Sequence, residues 1–90
     1  MGNQEFESRA TAIVRNWYDN HVTTIPTEIY VVWMVKVLRN NKAMISSNLS
    51  DGRYFEVTWD GEREYCYLDI YLKVENQPLN IEGESTCLKR

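Results

Sequence analysis

Ile29-Tyr30-Val31-Val32-Trp33-Met34-Val35-Lys36-Val37-Leu38 is the stretch on which the fold turns. It is built almost wholly of β-branched, aromatic and aliphatic residues, without glycine or proline, and reads as a β-strand. Alternation sends Ile29, Val31, Trp33, Val35 and Val37 to one face and Tyr30, Val32, Met34 and Leu38 to the other. Lys36 is its sole charge. A strand apolar on both sides is expected at the centre of its sheet, covered twice.

The chain before it supplies one cover. From about Gln4 to His21, the residues Phe6, Ala10, Ile13, Val14, Trp17 and His21 recur every three or four positions, the stripe of an amphipathic helix. Asn3 is the expected N-cap, Glu5 and Glu7 suit the positive end of the helix dipole, and Glu5 with Arg9 forms an i,i+4 pair. Val22-Thr23-Thr24-Ile25-Pro26 ends the helix, because the residue before proline avoids the helical region.

Downstream, Asn40-Asn41 is the expected two-residue hairpin turn, asparagine tolerating the positive φ of a type I′ turn. The return strand runs from Lys42 to Asn48 and closes in Ser50-Asp51-Gly52. Arg53 to Trp59 alternates Phe55, Val57 and Trp59 against Tyr54, Glu56 and Thr58. Asp60-Gly61 then predicts a second tight hairpin. Pairing across it places Glu56 opposite Tyr65, Tyr54 opposite Tyr67 and Thr58 opposite Arg63. Tyr65 to Val74 fits either a fourth strand or a short closing helix, since Tyr67, Ile70, Tyr71 and Val74 also share a helical face. The expected fold is α+β: an N-terminal amphipathic helix on a three- or four-stranded antiparallel meander. One domain spans residues 1–76, and 77–90 are a loop-like or disordered tail.

Ninety residues give room for one modest core, and no apolar run is long enough to span a membrane. Ten basic against thirteen acidic residues argue against direct nucleic-acid binding, which rests on basic side chains neutralising phosphates. Cys66 and Cys87 are read as reduced thiols in a cytoplasmic protein without a signal peptide. The start Met1-Gly2-Asn3-Gln4-Glu5-Phe6 has Phe6 where a myristoylation signal needs Ser or Thr, and the sequon at Asn48 is idle in such a protein.

No catalytic constellation is apparent: His21 is the only histidine, no CxxC pair occurs, and the four glycines are scattered. The expectation is a protein that is not an enzyme, with no metal and no cofactor. The aromatic load is more informative, with three Trp, six Tyr and two Phe. Buried tyrosines each need a hydroxyl partner, and exposed ones anchor interfaces or stack on bases. Cross-strand packing accounts for any one of them; together Tyr54, Tyr65 and Tyr67 with Arg63 form a polar-aromatic wall. Lys36 and Arg53 complete the candidate ligand-binding set, although a lysine near a strand end also simply snorkels to water. Tyr30, Val32 and Met34 are the candidate interface with another copy.

The helix with Ile13-Val14-Arg15-Asn16-Trp17-Tyr18, followed by Ile29-Tyr30-Val31-Val32-Trp33, Asn41-Lys42-Ala43-Met44-Ile45-Ser46, Asp51-Gly52-Arg53-Tyr54-Phe55-Glu56-Val57-Thr58 and Tyr67-Leu68-Asp69-Ile70-Tyr71, resembles a family of short uncharacterised proteins from phages and prophages of Gram-positive bacteria. The resemblance runs from about residue 8 to 76 and carries no catalytic residue. It implies a counter-defence protein in the host cytoplasm. One expectation is a homo-oligomer that sequesters a nucleotide immune signal in a pocket of aromatics and Arg or Lys. The alternatives are an inhibitor that docks on a host defence protein such as a CRISPR nuclease, or a regulatory or structural accessory protein of the phage.

Overall fold

A computed structural model of the protein describes residues 1–84. Helix α1 (Asn3–His21) is followed by strands β1 (Ile29–Val37), β2 (Asn40–Ser47), β3 (Arg53–Asp60) and β4 (Tyr65–Leu72). The strands form one antiparallel meander in the order β1-β2-β3-β4, with α1 packed over β1, β2 and β3. The α+β reading holds, and the ambiguous Tyr65 segment is a strand. Among the described residues, no helix is long and apolar enough to cross a membrane.

The helix buries Phe6, Ala10, Val14 and Tyr18, one residue per turn, against Ala43, Ile45, Phe55 and Val57 of the two central strands. Trp17 and Ile13 flank this line half-buried, so the stripe lies one residue further round than the sequence suggests. Gly2, not Asn3, is the N-cap and offers no side-chain bond. At the other end His21 Nδ1 lies 2.9 Å from the Trp17 carbonyl oxygen, and its ring stacks on Trp17 at 4.7 Å. Asn48 latches the α1–β1 connection: its Nδ2 donates to Thr27 Oγ1 and its Oδ1 accepts from the Glu28 amide.

Three expectations about β1 are corrected. It is an edge strand, because β2 and β3 take the central places. A bulge between Val31 and Trp33 breaks its alternation, so Met34 and Lys36 stand on the helix side while Tyr30, Val32, Trp33, Val35 and Val37 stand on the other. Its hairpin turns at Leu38-Arg39, with Leu38 at φ 57°, not at Asn40-Asn41, which begin β2. Buried Asn41 instead uses Nδ2 to bind the Met1 carbonyl, fixing the chain start against β2.

The β3–β4 turn sits where Asp60-Gly61 predicts but is longer. Gly61 to Glu64 form it, Asp60 Oδ1 accepts from the amides of Glu62 and Arg63, and Glu64 N–H returns to the Asp60 carbonyl. Pairing is therefore Asp60 with Tyr65, Thr58 with Tyr67, Glu56 with Asp69 and Tyr54 with Tyr71. Each partner differs from the tight-hairpin expectation, yet each tyrosine keeps its face, because the slip is by an even number of residues. After β4 the described chain has no further helix or strand and ends in a turn at Asn80–Glu84.

A polar network closes one end of the core. The Tyr18 hydroxyl donates to Asp51 Oδ2 at 3.1 Å and lies 3.3 Å from Ser47 Oγ. Asp51 also accepts from the Arg53 amide and from its guanidinium at 2.7 Å, and that guanidinium lies over the Trp17 ring at 5.1 Å. Burial pushes the Asp51 carboxyl up, but donation from the Arg53 amide and guanidinium and from Tyr18 outweighs it and holds the group below its ordinary value. Burial pushes the Tyr18 phenol up. A depressed folded-state pKa means that the stabilisation is complete above about pH 4, the ordinary aspartate range, and fades as pH falls through the lowered value. Asp51→Asn is therefore expected to flatten the acid limb of a stability–pH curve measured by urea melts. Tyr18→Phe is expected to cost about 1–2 kcal/mol at neutral pH, because it strips hydrogen bonds from a buried site.

Candidate functional site

One face of the sheet is covered by α1 over β1, β2 and β3, and the other is open. Reading across the strands, the open face carries four rows of side chains. Val37 and Asn40 align with Asp60 and Tyr65; Val35 with Lys42, Thr58 and Tyr67; Trp33 with Met44, Glu56 and Asp69; and Tyr30 and Ser46 with Tyr54 and Tyr71. Apart from Asp69, the two outer strands are apolar or aromatic here, and the two central ones are mainly polar. Tyr30, Val32, Trp33, Val35, Val37, Tyr65, Tyr67 and Tyr71 are all exposed. Single exposed apolar residues are ordinary; here they gather into two strips, one along β1 and one along β4, on either side of the polar central strands.

The central charges are arranged against anions. Lys42 Nζ is 3.6 Å from Glu56 Oε1, and Tyr71 donates its hydroxyl to the same oxygen at 3.3 Å. Glu56 faces Asp69 across the strand pair, so the middle of the face has more negative than positive charge. The Glu56 carboxylate, with smaller effects from burial and Asp69, raises the Tyr71 phenol above its ordinary value. Tyr71 stacks on Tyr54 with centroids 4.9 Å apart, and Tyr65 meets Tyr67 edge-on at 6.4 Å.

At one corner this changes. A groove of about 670 Å³ opens where Tyr30, Val32, Met44, Ser46 and Tyr54 meet Ser50, Arg53 and Lys73. The Lys73 amide donates to the Gly52 carbonyl at 2.7 Å, which fixes the strand exit beside the β2–β3 turn. Arg53 is engaged with Asp51 and Trp17, whereas Lys73 has no ion pair with a described residue.

The structure thus separates the ligand-binding set expected from the sequence. Tyr54, Tyr65 and Tyr67 share the open face. Lys36 stands opposite Asn41 on the helix side, moved there by the bulge. Arg63 sits in the β3–β4 turn, exposed, with its guanidinium 3.6 Å from Asp60. Arg53 belongs to the helix side by strand parity and reaches only the edge of the corner groove. Of the interface set, Tyr30 and Val32 are on the open face and Met34 packs against the core. Two contributors escaped the sequence reading. Lys73 is absent from the candidate set read from the sequence, and Tyr18 lies four residues after Val14, a spacing that does mark it as core. Among the described residues, no three His, Cys, Asp or Glu side chains come together as a metal site.

No curated protein and no solved structure matches the chain. A family model described as a family of unknown function, DUF6275, matches residues 7–81, from the first turn of α1 through every strand of the sheet. The chain belongs to the DUF6275 family.

Proposed function

We propose that the protein is a non-enzymatic binding protein that captures a nucleotide in the corner groove of its open face. The observation that carries this reading is the meeting, in one groove of nucleotide size, of two tyrosine rings with an ammonium group that has no carboxylate partner among the described residues. A base stacks on the exposed side of Tyr54 or Tyr30, extending the Tyr54–Tyr71 pair, and a phosphate lies against Lys73 Nζ with the Ser46 and Ser50 hydroxyls beside it. Glu56 and Asp69 repel phosphate from the centre of the face and confine the ligand to the corner. The likeness to phage proteins supplies the setting: a counter-defence protein that removes a nucleotide immune signal in the host cytoplasm.

Calorimetric titration with a panel of linear and cyclic nucleotides tests the assignment. Tyr54→Ala and Lys73→Glu are expected to weaken binding by at least tenfold, about the 1–3 kcal/mol of a lost base–aromatic stack or charged contact. Lys36→Ala and Arg63→Ala are expected to leave it unchanged, since both groups lie away from the groove. Failure of the whole panel to bind, or equal binding by Lys73→Glu, rejects the reading.

A further inference from the structure

The chain exposes 6734 Å², whereas a compact monomer of 10.7 kDa exposes about 5,500 Å². Its radius of gyration is 16.1 Å against roughly 12 Å for a compact domain of this length. Residues 73–84 are all exposed, and the sheet face opposite α1 is uncovered. Four strands spaced about 4.8 Å apart, each of eight or so residues rising about 3.4 Å, make a face of roughly 500 Å² in projection. Side-chain relief brings it close to the ~800 Å² that each partner contributes to a standard interface.

We infer that a second copy of this chain covers the open face, the two sheets packing against each other with the helices outside. The rows of the face fit themselves under one particular symmetry. Consider a two-fold axis that lies in the interface, crosses the strands at right angles, and runs between the Val35-Lys42-Thr58-Tyr67 and Trp33-Met44-Glu56-Asp69 rows. Each of these rows then faces the other on the second copy. Val35 lies on Trp33, the hydroxyls of Thr58 and Tyr67 lie on the carboxylates of Glu56 and Asp69, and the stem of Lys42 lies along Met44. The outer rows follow the same rule, with Val37 on Tyr30, Asn40 on Ser46 and Tyr65 on Tyr71.

Apolar groups meet apolar ones and each central carboxylate gains a hydroxyl donor, so the carboxylates are not left unsatisfied on burial. Aligned sheets cross at about −30°, which preserves the match near the axis and opens the corners. With Lys42 and Lys73 against Glu56, Asp60 and Asp69 the face is only mildly negative, so like faces repel weakly and no strong field recruits a highly charged partner. Tyr30, Met44 and Ser46 belong both to this pairing and to the corner groove, so a bound nucleotide is expected to compete with the pairing at that corner, and the pairing is tested without one.

Sedimentation equilibrium of the nucleotide-free protein over a wide concentration range tests it. The expected mass is twice 10.7 kDa. Val35→Asp and Tyr67→Asp, both at exposed positions of the isolated chain, are expected to weaken association at least ~100-fold and give the single-chain mass with an unchanged far-UV spectrum. Leu72→Asp, exposed on the helix side of β4, is expected to remain dimeric. A single-chain mass for the unaltered protein at every concentration overturns the inference. So does a dimer that survives both open-face substitutions.

Discussion

Phe55→Ala is expected to cost about 3–5 kcal/mol and to lower the melting temperature by roughly 15–30 °C. Phe55 is fully buried on β3, where the rings of Trp17 and Tyr18 each meet it edge-on at 5.4 Å. The core it belongs to is small. Its eight buried hydrophobic residues come from one helix and two strands, so the void left by a phenyl ring has few neighbours able to close it. A domain of this length holds about 5–13 kcal/mol in all, so the loss is a large fraction of the whole. A urea melt of the variant measures it; a cost below about 1 kcal/mol would mean that the core lies elsewhere.

Gly61→Ala is expected to be the second most damaging single change, at about 2–3 kcal/mol or more. The reason is space. Gly61 does not need a positive φ, but a Cβ built there runs into the Arg39 carbonyl of the neighbouring hairpin turn. Its amide also donates to Asn40 Oδ1 at 3.1 Å, so the two turns are held together at that end of the sheet. Relief of the clash must separate backbone from backbone. By contrast Gly2, with nothing near its position, is expected to accept alanine within about 0.5 kcal/mol. Parallel thermal melts of the two variants check the pair; equal melting temperatures would remove the steric argument.

These two positions also show what the sequence could and could not convey. Phe55, Val57, Ala43 and Ile45 alternate cleanly, so the central strands and their buried face follow from period two alone. The helix follows from period 3.6, although its line of contact, which includes Tyr18, depends on how the helix lies across the sheet. Turns were less legible. Leu38 adopts a positive φ that no rule for leucine predicts, and the turn falls two residues before Asn40-Asn41, which begin β2 instead. At Asp60-Gly61 the place was right and the reason was different: the Asp60 side chain caps a four-residue loop, and the glycine makes room for Arg39.

The bulge in β1 had the largest consequence for the candidate site. One extra residue between Val31 and Trp33 reverses the parity of everything after it. Met34 and Lys36 cross to the helix side, and Trp33 and Val35 join Tyr30 on the open face. Nothing local announces the bulge in so uniform an apolar run. The β4 register escaped for a milder reason, since a slip of an even number of residues exchanges cross-strand partners without changing faces. That is why the tyrosines stayed together while the cations expected among them scattered, leaving Lys73 as the groove's cation with no ion pair to a described residue.

Native mass spectrometry of the protein purified from bacteria, with and without added nucleotides, tests most directly the claim that the open face is a nucleotide-binding surface. The expected result is a nucleotide-sized mass bound to the unaltered protein and absent from Lys73→Glu. A bare protein that takes up none of the nucleotides offered would contradict it.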